Sequence, residues 1–256
     1  MNPVIDLNSD LGEGAGHDLE ILDLVSSANI ACGFHAADPA SIFATIQAAL
    51  ERGVSLGAHP SFPDRENFGR NEMTLPTAEL YATVAYQIGA FHALARAAGA
   101  KMNHVKAHGA LYNMASRDRT LAELIANAVF ALDPKLILFT PAESELDYVA
   151  TELGLDTASE VFADRNYRAD RSLVPRSEPN AFVHDPIEAA DRIIRILTEG
   201  KVRAVDGSDI AITATTVCVH GDNPQAVEFV RKLRERLELE EIVIAAPAPA
   251  PREDFL

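Results

Sequence analysis

Short apolar runs alternate with longer amphipathic stretches along most of the chain. The short runs are rich in β-branched residues and have the length of buried strands, whereas the longer stretches have the apolar spacing of helices. The predicted strands are Val4–Asn8, Asn29–Phe34, Val54–His59, Asn103–His108, Leu136–Thr140, Glu160–Ala163, Thr216–His220 and Glu241–Ala245. The predicted helices are Pro39–Arg52, Pro76–Ala98, Leu121–Ala131, Glu143–Leu153, Pro186–Thr198 and Pro224–Leu237. This order predicts an α/β fold of repeated βα units around a parallel sheet.

Local signals mark helix starts and two departures from the βα repeat. The pairs Asp38-Pro39, Asp185-Pro186 and Asn223-Pro224 are typical of an N-cap followed by proline in the first helical position. Asp206-Gly207, between two short apolar runs, predicts an inserted antiparallel hairpin. Residues 245–256 are rich in Ala and Pro and are expected to form a mobile, extended tail. Because no linker-like segment interrupts the chain, residues 1–256 are expected to form a single domain.

Composition narrows the class of protein and the compartment. The chain has 256 residues, of which 48% are hydrophobic, and a formal net charge of -16. That charge repels phosphate backbones and anionic lipid, so neither nucleic acid nor a membrane surface is expected as a partner. No segment reaches the roughly 20 apolar residues that a membrane helix needs. The two cysteines, Cys32 and Cys218, lie in apolar runs, which favours buried thiols in a cytoplasmic protein.

Strand periodicity gathers polar side chains on one face of the first strand. Residues two apart in a strand face the same way, so Ile5 and Leu7 share the face that packs under helices. The polar residues on the opposite face and in the turn beyond it are Asp6, Asn8, Asp10 and Glu13.

The fourth strand and three other strand ends carry histidines. His104, Lys106 and His108 share one face of the fourth strand, and further histidines close other strands at His35, His59 and His220. A single histidine at such a position is more often structural than catalytic. Histidines at the ends of several strands favour an active site, because the carboxyl ends of the strands in a parallel barrel meet around one pocket.

Arginines near the strand ends are candidates for gripping an acidic substrate. The guanidinium fork matches a carboxylate, which makes Arg70 and Arg165 candidates, although a structural ion pair explains either one equally well and is favoured for Arg65. Neither a dinucleotide fingerprint nor a P-loop occurs in the sequence.

Recognisable motifs are spread over nearly the whole chain. They are DLNSDLGEG from Asp6, SANIACGFH from Ser27, GAHP from Gly57, FGR from Phe68, HVKAHGALYN from His104, FADR from Phe162 and CVHGD from Cys218. In this order they resemble the LamB/YcsF family, the A subunit of prokaryotic 5-oxoprolinase. The resemblance implies a TIM-like barrel, possibly with seven strands, related to the glycoside hydrolase and deacetylase superfamily. It also implies conversion of 5-oxo-L-proline to L-glutamate with ATP hydrolysis, together with companion B and C subunits. The lack of a P-loop agrees with ATP being bound partly or wholly by those partners.

Lactam hydrolysis needs a base, an oxyanion stabiliser and an acid. Asp10 or Glu13 is expected to be the base, Lys106 with a neighbouring histidine the stabiliser, and His59 or His108 the acid. The residues expected to bind the substrate are Asp6, Asn8, His35, Arg70, Asp164, Arg165 and His220.

Two other functions remain open. A metal-dependent amide hydrolase acting alone could use Asp10, His35 and His59 as a site of two histidines and one carboxylate. A non-catalytic subunit could instead bind the lactam for a partner. The metal content stays undetermined by the sequence.

Overall fold

Seven parallel strands close into a barrel in the structure, a computed structural model that describes residues 2–220 and 224–250. The barrel strands are β1 (Val4–Leu11), β2 (Ser27–Ala31), β3 (Ser55–His59), β4 (Met102–Val105), β5 (Ile137–Pro141), β6 (Asp156–Phe162) and β9 (Thr216–Val219). They are hydrogen-bonded in that order, and β1 closes the ring because it pairs with both β2 and β9. The TIM-like barrel is therefore confirmed, with seven strands.

The eighth predicted strand and the predicted hairpin have separate positions. The short strand β10 (Val243–Ile244) pairs only with Val4 and Ile5 at the start of β1, so it adds no strand to the closed ring. Strands β7 (Lys201–Arg203) and β8 (Asp209–Ala211) form an antiparallel pair around Asp206-Gly207, which confirms the hairpin.

Helices cover the outside of the barrel. They are α1 (Asp18–Leu22), α2 (Pro39–Glu51), α3 (Thr77–Ala97), α4 (Gly109–Ala115), α5 (Arg119–Leu132), α6 (Glu145–Leu153), α7 (Pro186–Glu199) and α8 (Pro224–Leu239). Within the described part of the chain, none of them has the length and apolarity needed to cross a membrane. Sequence periodicity did not predict α1 and α4, which are too short to show a helical repeat.

Two of the predicted helix caps are formed. The Asp38 carboxylate accepts from the backbone N–H groups of Ala40 and Ser41, and Asp185 accepts from that of Ile187, so each satisfies donors that the first helical turn leaves free. The third predicted cap, Asn223, lies outside the described residues.

The apolar core lies mainly between the strands and the helices. Leu7, Ile30 and Val105 on the strands pack there with helix residues such as Ile46 and Phe91. Inside the barrel, a separate apolar cluster is formed by Ile137, Phe139 and Ala158. The remaining interior is largely polar, and that polar interior supports the site.

The Ala/Pro-rich segment contacts the barrel along its first part. Ala245 donates its N–H to Ile5 O at 3.0 Å, Asn103 Nδ2 donates to Pro247 O at 3.1 Å, and Ala250 N–H donates to an Asp156 carboxylate oxygen at 3.1 Å. These bonds place residues 245–250 against the barrel, and the mobility of the tail stays a prediction. The rest of the predicted tail, residues 251–256, lies outside the described residues.

Candidate active site

A pocket of about 500 Å³ opens at the carboxyl ends of the barrel strands. Loops and strand ends from around the ring converge there, as is usual for parallel barrels. The predicted site residues that line it are Asp10, Glu13, His59, Arg70, Lys106, His108, Arg165 and His220. Those that do not line it are Asp6, Asn8, His35 and Asp164.

Asp6 lies below the pocket, in a buried layer of hydroxyl groups. One of its carboxylate oxygens accepts from Ser26 Oγ at 2.6 Å and Ser27 Oγ at 2.8 Å, and the other accepts from Thr216 Oγ1 at 2.5 Å. Burial raises the pKa of Asp6 to about 6, although these hydroxyls favour its charged form. Its position supports a structural role below the site and gives no support to substrate contact.

Two buried asparagines connect this layer to the pocket. Asn8 Nδ2 donates to Glu160 Oε1 at 2.9 Å, and Asn8 Oδ1 accepts from Asn29 Nδ2 at 2.7 Å. Asn29 Nδ2 also donates to Asp10 Oδ1 at 2.9 Å, and its Oδ1 lies 2.9 Å from His104 Nε2. Burial lowers the pKa of His104 to about 3, so this ring is neutral and donates to Asn29. Asn29 therefore holds Asp10 directly, and Asn8 holds Asn29.

Lys106 is the buried cation at the centre of the site. Its Nζ lies 2.8 Å from Glu160 Oε1, 3.0 Å from Asp10 Oδ1 and 3.3 Å from Asn8 Oδ1. Burial alone would lower the pKa of Lys106, but Asp10 and its other anionic neighbours outweigh burial and raise it well above the usual value. With these oxygens and Cys218 Sγ at 3.2 Å around it, the ammonium group compensates buried charge. Its donors are already engaged, which weakens the prediction that it stabilises an oxyanion directly.

Glu160 is a site residue that sequence reasoning missed. It is buried in β6, where it faces Lys106 and accepts from Tyr112 Oη at 2.7 Å. The signal was present, because Glu160 is an acid in an otherwise apolar run, two residues from Phe162 on the same strand face.

Asp10 lines the pocket, and its two carboxylate oxygens have different partners. Oδ1 is held by Asn29 and Lys106, whereas Oδ2 lies 3.4 Å from His59 Nε2. Burial would raise the pKa of Asp10, but the charges of His59 and Lys106 outweigh burial and hold the pKa well below its usual range. Asp10 is therefore an ionised carboxylate beside the histidines.

His59 and His108 face each other, and backbone carbonyls orient both rings. His59 Nδ1 lies 2.7 Å from Lys106 O, His108 Nε2 lies 2.9 Å from Phe68 O, and the remaining nitrogens, His59 Nε2 and His108 Nδ1, are 2.9 Å apart. Burial disfavours the charged form of His59, but Asp10 outweighs it and raises the pKa.

Glu13 connects the histidines. Its Oε1 lies 3.0 Å from His35 Nε2, 3.2 Å from His108 Nδ1 and 3.8 Å from His59 Nε2. Burial would raise the pKa of Glu13, but hydrogen bonds from His108 and His35 lower it to about 2. Burial lowers the pKa of His35 to about 4, and this ring stacks on His108 with 3.8 Å between ring centroids.

These four side chains could hold a metal ion. One ligand atom from each of Glu13, His35, His59 and His108 lies within 4.8 Å of the others. The metal site considered from the sequence combined Asp10 with His35 and His59. The structure instead groups the histidines with Glu13 and places Asp10 in a second group with Cys218 and His220.

Arg70 and Arg165 differ in their availability to a ligand. Arg70 is exposed at the rim, with its guanidinium 4.9 Å from the centre of the Phe68 ring. Arg165 is buried, and its guanidinium donates to the carbonyls of Val174 at 2.6 Å and Ala181 at 3.4 Å. Arg165 therefore braces its own loop, whereas Arg70 has the freedom to bind an anion.

His220 and Asp164 form a half-buried pair between two pockets. His220 Nδ1 lies 2.8 Å from Asp164 Oδ2, and the charge of Asp164 raises the pKa of His220 against the effect of burial. His220 lines both the main pocket and a neighbouring one of about 330 Å³, whereas Asp164 lines only the latter. Asp164 therefore orients His220, which faces the main pocket.

The rim also carries arginines that sequence reasoning missed. Arg117, Arg171 and Arg176 line the pocket together with Arg70 and Arg165. They come from loops without helical or strand periodicity, so no sequence pattern indicates that they meet. Arg117 is paired with Glu72, and Arg171 with Glu143. Apart from the buried Arg165, Arg70 and Arg176 are therefore the rim arginines without a carboxylate partner among the ion pairs of the described residues.

The fold and site define a TIM-like barrel with carboxylates, histidines and a buried lysine gathered at the carboxyl ends of its strands. The chain belongs to the LamB/YcsF family, whose model matches residues 5–252.

Solved structures share the fold, and one of them agrees with this membership. The lactam utilization protein from Thermus thermophilus is 46% identical to this chain with a TM-score of 0.89, and the match covers 95% of this chain and 100% of that one. A protein from Enterococcus faecalis, provisionally described as a cellobiose-phosphate cleavage protein, is 12% identical with a TM-score of 0.60, covering 96% of this chain and 97% of its own. A β-1,4-mannanase is 12% identical with a TM-score of 0.50, covering 92% of this chain and 99% of its own. The last two share the fold alone.

Proposed function

We propose that this chain is the A subunit of an ATP-dependent 5-oxoprolinase, which opens 5-oxo-L-proline to L-glutamate. The observation that carries the proposal is membership of the LamB/YcsF family together with 46% identity to a lactam utilization protein. A five-membered lactam with one carboxylate is small enough for a pocket of about 500 Å³. The arginine-lined rim supports an anionic substrate.

The site offers candidates for the steps of lactam opening. Water must add to the ring carbonyl, and the ring nitrogen must leave with a proton. Asp10 is the proposed base, because it lines the pocket while Asn29 and Lys106 hold its Oδ1. Glu13, His59 and His108 are the other proposed catalytic residues, and Arg70 is the proposed partner of the substrate carboxylate.

ATP and the partner subunits belong to the same proposal. An unstrained amide is a poor electrophile, and phosphorylation of its oxygen would activate it. The sequence contains no P-loop, which favours nucleotide binding partly or wholly by B and C subunits. We place the complex in the cytoplasm, a compartment that agrees with two buried, unpaired cysteines.

The test is glutamate release from 5-oxoproline by the purified chain alone and by the chain reconstituted with both partners and ATP. Activity in the complete mixture alone is the expected result. Asp10→Asn should lower that turnover by about 10²-fold or more, the usual contribution of a general base. Asp191→Asn, an exposed change on α7, is the matched control and should leave turnover unchanged. Near-normal turnover by a folded Asp10→Asn variant would remove Asp10 from the mechanism.

A metal-dependent amide hydrolase acting alone is the second candidate, favoured by the cluster of Glu13 with three histidines. Glutamate release by the chain with a divalent metal and without ATP would support this function. Unchanged complex turnover after removal of each candidate acid and base would instead support a non-catalytic lactam-binding subunit.

A further inference from the structure

Two histidine nitrogens at the edge of the pocket, His59 Nε2 and His108 Nδ1, are close enough to need a positive charge between them or on one ring. A carbonyl oxygen can only accept, so His59 Nδ1 must donate to Lys106 O and His108 Nε2 must donate to Phe68 O. A neutral imidazole has one N–H, which leaves lone pairs on His59 Nε2 and His108 Nδ1. These two lone pairs face each other at 2.9 Å. They repel unless a metal cation lies between them or one ring carries a second proton; on His108 that proton would make the Nδ1 hydrogen bond to Glu13 described above.

Glu13 supplies a third ligand atom at a suitable distance. Its Oε1 lies 3.2 Å from His108 Nδ1 and 3.8 Å from His59 Nε2. In a tetrahedral zinc site with bonds of about 2.0 to 2.1 Å, ligand atoms are about 3.3 Å apart. The observed separations lie around that value. We infer that Glu13, His59 and His108 form a binding site for a divalent transition-metal ion that accepts nitrogen and carboxylate ligands, such as Zn²⁺.

His35 has a different role from the other two histidines. Its ring is stacked on His108 with an angle of 4° between the ring planes, so the two rings cannot both direct an in-plane nitrogen at one ion. His35 Nε2 lies 3.0 Å from Glu13 Oε1 and can donate to it. His35 is therefore a positioning residue for Glu13. The carbonyls of Lys106 and Phe68 orient the ligand rings in the same way, an arrangement that is usual around metal sites.

The three ligands leave a coordination position open to the pocket. Glu13, His59 and His108 all line the pocket, whereas His35 does not. Three protein ligands with an open fourth position are typical of catalytic zinc. Asp10 Oδ2 lies next to the site, 3.4 Å from His59 Nε2. If a metal is held here, His59 and His108 would be its ligands, and Asp10 would be the group placed to take a proton from water and return it to the leaving nitrogen.

Metal binding can be measured without any assumption about the substrate. The full chain is stripped with a chelator, dialysed and titrated with CoCl₂, and the visible absorption of bound Co²⁺ and the thermal midpoint are recorded. We expect one Co²⁺ per chain, a raised midpoint and displacement of Co²⁺ by Zn²⁺. Failure of the wild-type chain to take up stoichiometric Co²⁺ would overturn the inference and leave a second proton on one of the histidines as the explanation.

Variants identify the ligands. Glu13→Gln and His108→Asn should lower Co²⁺ affinity by more than 100-fold, and His35→Asn should lower it by about 10- to 100-fold, the usual effect of an outer-shell partner. His92→Asn, an exposed change on α3, is the control and should bind like the wild type. Circular dichroism checks that each variant is folded. Wild-type affinity in folded Glu13→Gln and His108→Asn would also overturn the inference.

The metal site and the proposed function fail in different ways. Co²⁺ uptake by a chain whose complex does not release glutamate would leave the metal site standing and remove the oxoprolinase assignment. Full turnover by a complex whose A chain takes up no metal would leave the oxoprolinase assignment standing and remove the metal site.

Discussion

Asp6 should make folding stability depend on pH in the direction opposite to carboxylates whose pKa is lowered by charged partners, such as Asp10. Its pKa is raised from 3.8 to about 6 in the folded chain because burial disfavours the charged form. The stability contributed by the protonated form is complete below pH 3.8 and is lost as the pH rises through about 6. A difference of 2.2 pKa units corresponds to about 3 kcal/mol of unfolding free energy.

The substitution Asp6→Asn isolates this effect. Asparagine cannot ionise, and its amide can still accept from Ser26 and Ser27 and donate to Thr216 Oγ1, so the change should be tolerated. Between pH 5 and pH 7.5, the contribution of Asp6 to the unfolding free energy falls by about 1.4 kcal/mol. The wild-type chain should therefore lose about 1.4 kcal/mol of stability relative to Asp6→Asn over this range.

Urea unfolding of both proteins at several pH values measures the difference. The absolute offset between the two chains also contains the altered hydrogen bond to Thr216. The change of the difference with pH is therefore the quantity to test. A difference that stays constant from pH 5 to pH 7.5, or one that grows in favour of the wild type, would refute the assignment of a raised pKa to Asp6.

Two further predictions concern packing and buried charge. A Cβ at Gly57 would lie 2.1 Å from His104 Nε2, so Gly57→Ala should displace that ring and lower the unfolding free energy by about 1 to 3 kcal/mol. Gly89 is in a helix and has no atom within 4 Å of a Cβ placed on it, so Gly89→Ala should stabilise the chain by about 0.5 to 1 kcal/mol. Thermal unfolding of both variants is the measurement, and equal midpoints would contradict this reasoning. Lys106→Met should lower the free energy of unfolding in urea by about 3 to 5 kcal/mol, because it leaves buried carboxylates without a cation. Adding Glu160→Gln should restore part of that free energy. A double variant no more stable than Lys106→Met would show that the unpaired charge of Glu160 is not the cause.

The alternation of polar and apolar residues was enough to predict the barrel and its inner face. Asp6, Asn8 and Asp10 do lie on one side of β1, because neighbours in the barrel interior contact all three. The same rule placed His104 and Lys106 together on the inner face of the fourth strand. A period of two residues is a local property, and a strand keeps it whatever the strand later packs against.

The pairing of charges could not be predicted in the same way. Lys106 is 54 residues from Glu160, and their distance of 2.8 Å depends on how the barrel closes. The choice of Glu13 rather than Asp10 beside His108 depends on the turn after β1, whose conformation periodicity does not describe. Contacts between the Ala/Pro-rich segment and the barrel were missed for a related reason, since composition gives backbone preference and no information about docking.

The polar interior has a consequence for how the chain can be divided. Asn8 on β1, Lys106 after β4 and Glu160 on β6 satisfy one another only when strands from both halves of the sequence are in place. A half-barrel fragment would expose these groups or leave them unpaired, and the free energy of an unpaired buried charge is unfavourable by several kcal/mol. This barrel should fold and unfold as one cooperative unit, with the expulsion of water from its centre completed only at ring closure.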